Sequence, residues 1–127
     1  MEINELSSAI IGAAITVHKE LGPGLLENAY HSCMLIELRS LGLVVASEIP
    51  VPVVYRGHKI TKEGFVMDLL VEDRIVVELK SVDGLQPIHE KQLLTYLRLT
   101  GKPLGLLINF NVPLLKDGVR RVINSPK

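Results

Sequence analysis

The sequence predicts a single α/β domain, and three observations carry that expectation. Two opening segments repeat apolar residues at helical spacing, a middle stretch is rich in β-formers, and a third helical segment leads into a short apolar strand. The order reads α, α, β, β, β, α, β. No internal repeat, low-complexity segment or linker interrupts it, so residues 1–127 are expected to form one domain.

The first helix is predicted from about Asn4 to Leu21, because Leu6, Ile10, Ala13, Ala14 and Val17 recur on one face. Gly22-Pro23-Gly24 breaks it and aims a second helix from about Leu25 to Leu41, with Gly42 as its stop. Cys33 falls inside that helix as a small core residue. From Leu43 the texture turns to β. Pro50 and Pro52 confine the Val44–Tyr55 stretch to an edge or an irregular strand. Arg56-Gly57-His58-Lys59 reads as a turn. Phe65–Val71 and Ile75–Lys80 form the clearest strand pair, joined through Glu72, Asp73 and Arg74. Pro87–Leu99 reads as a third helix, with proline in its first turn and Gly101 past its end. Leu104–Phe110 is a buried strand, and the tail from Val112 carries no clear pattern.

Bulk composition narrows the class. Apolar residues make up 47% of the chain and charged residues 22%, a globular balance. No apolar run approaches the roughly 18 residues of a membrane span. Glu2 and Glu5 stand where a signal peptide would be basic, so the expectation is a soluble, cytoplasmic protein with no membrane partner. Cys33 is the only cysteine, which excludes an internal disulfide and any paired-cysteine zinc site. Fourteen basic residues balance fourteen acidic ones, which weighs against tight, non-specific binding of long duplexes without excluding a basic face.

The pattern that carries chemistry is Asp68 followed by Glu78-Leu79-Lys80. Charged residues rarely interrupt hydrophobic strands. Asp68 lies inside Phe65–Val71, and Glu78 and Lys80 share one face of Ile75–Lys80. A three-residue loop at Glu72-Asp73-Arg74 pairs Val71 with Ile75 and sets Asp68 opposite Glu78, with Cβ atoms ~5 Å apart. A two-residue loop would put the carboxylates on opposite faces. The odd-numbered loop, or a bulge, is the expected one, because it makes a site. Two close carboxylates repel and call for a counter-charge, and hard oxygen donors suit Mg²⁺ or Mn²⁺. Such an ion activates water and neutralises phosphate charge, with Lys80 placed to hold the nucleophile or the developing charge. The plainer reading of the same residues is a solvated strand face with cross-strand charge pairs.

Asp68 with Glu78-Leu79-Lys80 resembles the D…(D/E)xK signature of the PD-(D/E)XK nuclease superfamily. Gly24-Leu25-Leu26-Glu27-Asn28-Ala29-Tyr30 is similar to the Gly-x-x-Glu-x-x-Tyr motif of the GxxExxY family, a branch of that superfamily. Gln92-Leu93-Leu94-Thr95-Tyr96 is similar to the Gln-x-x-x-Tyr motif of RecB-like nucleases. The three motifs stand in family order across nearly the whole chain. Met67 stands before Asp68, where the superfamily's name has proline. The resemblance implies a restriction-endonuclease-like α/β fold with a mixed central sheet flanked by helices. It implies Asp68, Glu78 and Glu27 as metal ligands, Lys80 as the catalytic lysine, Gln92 in support, and phosphodiester hydrolysis in nucleic acid, DNA ahead of RNA. A homodimer gripping a duplex is compatible with it.

The remaining polar residues divide by position. Glu27, Tyr30 and His31 share a helix face. Glu27 reads either as a ligand or as a first-turn carboxylate complementing the helix dipole. His89, Gln92 and Tyr96 fall within ~60° of one another at 100° per residue, a stripe that either orients substrate or faces solvent. Tyr96, His89 and Tyr30 are the candidate substrate contacts. His18 and Lys19 complement the end of the first helix. His31 and His58 are expected to face solvent with no further role, and Arg56, Lys59 and Lys62 to lie on a solvated loop. The rival functions are a nucleic-acid-binding protein on a nuclease scaffold without turnover, and a protein-interaction module pairing through its sheet edge.

Overall fold

The apolar spacing of the opening segment produces helix α1, Ile3–Leu21, which buries Leu6, Ile10, Ala13, Ala14 and Val17. A computed structural model describes residues 1–125, apart from the side chains of residues 61–64, so the expectation for Lys62 lies outside the described residues. The Glu5 carboxylate accepts the Glu2 amide at 3.3 Å and satisfies a donor at the helix start. After the Gly22–Leu26 turn, α2 spans Glu27–Ser40 and buries Tyr30, Met34 and Leu38. Strands β1, Val45–Tyr55, and β2, His58–Val71, form a long antiparallel hairpin. Strand β3, Ile75–Lys80, follows the three-residue loop, and Val71 pairs with Ile75 as expected. Helix α3 spans Pro87–Thr100 and β4 spans Leu104–Asn109.

The patternless tail contains a 3-10 turn, Leu115–Gly118, and a short strand β5, Val119–Ile123. Only Val122 of β5 is fully buried, so the strand carries little hydrophobic signal of its own. Its place comes from antiparallel pairing with β4.

The sheet is five-stranded in the order β1-β2-β3-β4-β5. Only β3 and β4 run parallel, and α3 makes the crossover between them. Helices α1 and α2 cover one face through a core that includes Leu69, Val71, Val77, Leu79, Leu106 and Ile108. Helix α3 covers the other through Leu93 and Leu97 against Leu70, Val76, Leu107 and Val122. Both faces of β3 and β4 are therefore buried, which is why those strands read as unbroken apolar runs rather than alternating ones. Strand β1 is an edge, as its prolines require, and its register with β2 shifts between Val51 and Val54.

One expectation is corrected and one extended. His18 stands in the last turn of α1 as expected, but it is also buried, 8% exposed, with its Nε2 2.8 Å from the Val112 carbonyl, and it ties α1 to the tail. Tyr30 does not face a substrate. Its ring is fully buried and stacks on Phe110 at 4.3 Å between centroids, while its hydroxyl donates to the Gly22 carbonyl at 2.6 Å and accepts the Leu25 amide at 3.1 Å. It clamps the turn that launches α2, where Gly24 takes φ 100, a backbone suited to glycine.

Candidate active site

The centre forms where the sheet forks. The β2–β3 ladder holds Val71↔Ile75, Leu70↔Val76 and Leu69↔Val77, one step short of Asp68 and Glu78. Beyond it β3 follows β4 as far as Lys80↔Asn109, and β2 follows β1. A fork leaves backbone amides without ladder partners. Here the side chains supply them: the Asp68 amide donates to Glu78 Oε1 at 3.1 Å, and the Leu79 amide donates to Asp68 Oδ2 at 2.8 Å. Each carboxylate thus holds the other strand.

The alternation of β2 breaks at the same point. Met67 packs in the α3-side core and Leu69 in the α1/α2-side core, although residues two apart normally share a face. Glu48 on β1, between the rungs Ser47↔Leu69 and Ile49↔Met67, has φ 53 and stands across from Asp68. The break turns Asp68 between two environments. It faces the Glu78 carboxyl group, and it lines a cavity of about 280 Å³ together with Glu27, Asn28, His31, Glu48 and Leu79.

Electrostatics follow from burial. Glu78 is 7% exposed, and desolvation, reinforced by the Asp68 charge, pushes its carboxyl up to about 8. The Asp68 amide and Lys80 oppose that shift without cancelling it. Asp68 is also raised, first by burial and further by Glu27, against the pull of the Leu79 amide, His31 and Lys80. Lys80 is half-buried and near enough to lower both carboxyls. Tyr96 comes in from α3 with its ring 5.0 Å from that of Phe65, and burial and the two carboxylates raise its hydroxyl.

The outer residues are arranged more loosely. Glu27 is exposed at the start of α2, and its Oε1 accepts the Ser81 amide at 3.3 Å. Gln92 is exposed on α3, one turn before Tyr96. His89 Nδ1 accepts the Gln86 amide at 3.0 Å and caps the first turn of α3. The structure brings Asp68 and Glu78 together, but among the described residues no three His, Cys, Asp or Glu side chains converge as a ready-made ion cage, so Glu27 does not complete one.

Two residues at the centre were not expected there. His31 is no mere surface group: its Nε2 lies 3.2 Å from the Asp68 carbonyl and 3.1 Å from Ser47 Oγ. Its i, i+4 spacing from Glu27 was the available signal. Glu48 had none, because its position depends on strand register and an unusual φ.

No helix among the described residues is long and apolar enough to cross a membrane. No curated protein and no solved structure matches the chain. A family model described as the PD-(D/E)XK nuclease superfamily matches residues 4–122. The match runs from α1 through β5 and takes in the whole sheet with the helices on both its faces, so the chain belongs to the PD-(D/E)XK nuclease superfamily.

Proposed function

We propose that the protein is a nuclease that hydrolyses phosphodiester bonds of nucleic acid, DNA first, using Mg²⁺ or Mn²⁺ held by Asp68 and Glu78. The observation that carries this reading is the facing carboxyl pair at the fork. Their raised proton affinity expresses the cost of two buried negative charges that lack a sufficient positive partner. An all-oxygen donor set fits a hard divalent cation, and Glu27, which lines the same cavity as Asp68, would join through water. Bound there, such an ion would lower the pKa of a water and neutralise charge on the phosphate.

The chain's own groups have separable roles in this reading. Lys80 holds the attacking water or the charge that develops on the phosphate. Tyr96, kept protonated by its raised pKa, is a donor for a substrate oxygen, with Gln92 one turn away on the same stripe. With Nδ1 accepting a bond, a neutral His89 carries its proton on Nε2 and can donate to phosphate. The Gly24–Tyr30 and Gln92–Tyr96 motifs support a place in the GxxExxY branch with RecB-like character.

Lys80→Ala should keep the thermal midpoint and lose metal-dependent cleavage of single- and double-stranded DNA. Wild-type cutting by that variant refutes the mechanism. A wild-type protein that retards DNA in a gel but leaves it intact with either metal is a binding protein instead.

A further inference from the structure

The β1–β2 hairpin continues past the end of the sheet. Strand β2 pairs with β3 only over Leu69–Val71, so among the described residues its His58–Met67 part pairs with β1 alone. The result is a two-stranded ribbon that projects from the fork. Its tip is a two-residue turn with Arg56 at φ 50 and Gly57 at φ 81, closed by the pairs Tyr55↔His58 and Val54↔Lys59. Val54, Tyr55, Arg56, His58, Lys59 and Ile60 are all exposed. The Arg56 guanidinium lies 5.4 Å over the Tyr55 ring, which holds the cation at the tip.

Charge is segregated along the chain. From Ile49 to Lys62 there are Arg56, Lys59 and Lys62 and no acidic residue, although the whole chain carries fourteen of each sign. The rest of the chain carries eleven basic residues against fourteen acidic ones, and Glu27, Glu48 and Asp68 line the cavity at the fork. The ribbon is one surface that attracts a polyanion toward that site, and the Lys91–Lys127 segment, with seven basic residues against Asp117, is another.

We propose that this ribbon is an arm that enters the major groove of duplex DNA, with Arg56 and Lys59 on phosphates. The proposal rests on the nuclease reading of the fork and names its substrate class. A major groove about 12 Å wide admits a two-stranded ribbon, whereas the deep, narrow major groove of A-form RNA does not. The exposed Val54 and Ile60 match the apolar contacts that thymine methyls offer in that groove. The reach is also suitable. Lys59 precedes Asp68 by nine residues. At about 3.3 Å per residue the tip lies at most roughly 30 Å from the carboxylates, so one duplex spans both.

The test is fluorescence anisotropy of the full chain with a labelled DNA duplex and the matching RNA duplex in EDTA, which separates binding from cleavage. Arg56→Ala/Lys59→Ala removes two phosphate contacts, so the slope of log affinity against log salt should flatten by about 1.8. The loss of affinity between roughly 50 and 200 mM salt should shrink about tenfold. The charge-conserving pair Arg56→Lys/Lys59→Arg should bind as wild type does, and circular dichroism checks that both variants fold. The arm is overturned if the alanine variant keeps wild-type affinity and slope, or if the RNA duplex binds as tightly as DNA. It is equally overturned if the alanine variant changes oligomeric state alone, which would make the ribbon a contact between copies of the chain. Normal DNA binding by a wild type that never cuts with Mg²⁺ or Mn²⁺ leaves the arm standing and refutes the nuclease reading.

Discussion

Glu78 follows three buried residues, Ile75, Val76 and Val77, in a strand whose positions are closed to solvent up to Lys80, and its nearest acidic neighbour is Asp68. Its protonated form is favoured in the folded state up to about pH 8, whereas the unfolded chain ionises it near 4.5. Between those values the native state binds more protons than the unfolded state, so its contribution to stability is complete below about 4.5 and is lost as pH rises through about 8. Glu78→Gln keeps the shape and removes the titration. Chemical denaturation from pH 5 to 9 without metal should show wild-type stability falling more steeply than the variant's, in which only Asp68 still carries a raised carboxyl, with the variant the more stable at the alkaline end. Parallel pH profiles would mean that Glu78 titrates normally. At this scale the sequence was informative about residue type and poor about direction. Asp68, Glu78 and Lys80 stood out as charges in apolar strands, but Tyr30 looked equally functional because burial of a tyrosine leaves no mark distinct from a helix-face motif. The spacing of His31 from Glu27 marks a shared helix face but cannot reveal its partner, a backbone carbonyl on β2.

Helix α3 carries Gln92 and Tyr96, and its distance from the sheet is set at one point. A Cβ at Gly105 of β4 would come within 2.8 to 2.9 Å of three Leu93 side-chain atoms, and Leu93 is fully buried. Gly105→Ala must therefore push α3 outward or force Leu93 from its rotamer, a cost of about 1–3 kcal/mol. Tyr96 should move with the helix, so cleavage should weaken alongside stability. Leu93→Ala alone leaves a cavity costing about 2–5 kcal/mol. Combined with Gly105→Ala it should cost less than the sum of the two, because the new methyl enters that space. Denaturation of the four proteins measures the coupling, and strict additivity would show that this contact does not set the helix. The elements themselves were legible where a local pattern existed: helical spacing for α1, proline for the edge character of β1, and loop length for the β2–β3 register. Strand β5 was not, since pairing with β4 holds it and one buried valine gives no periodicity. Gly105 was equally opaque, because a glycine in an apolar run does not reveal which helix side chain presses on it.

The whole molecule is a sheet between two apolar layers, and the carboxylates sit where its middle strands separate. The fork is held by two bonds from backbone amides to carboxylates that also repel each other, so the site is a weak point of the unliganded fold. Nothing in the sequence announced the fork, because it arises from β2 and β3 choosing different neighbours beyond Leu69 and Val77. A divalent cation at Asp68 and Glu78 would tie β2 to β3 and relieve the repulsion, so its binding energy should appear as stability of the entire chain. Binding to the native state alone adds about 2.7 kcal/mol when the free ion is at 100 times its Kd. Glu78 must release its proton to bind, so the effect should grow with pH as that carboxyl ionises. Thermal unfolding with Mn²⁺ should therefore show a larger rise in midpoint at pH 8 than at pH 6, and none in Glu78→Gln. An equal rise in the variant would place the ion elsewhere on the chain, and a rise independent of pH would mean that Glu78 is already ionised when the ion arrives.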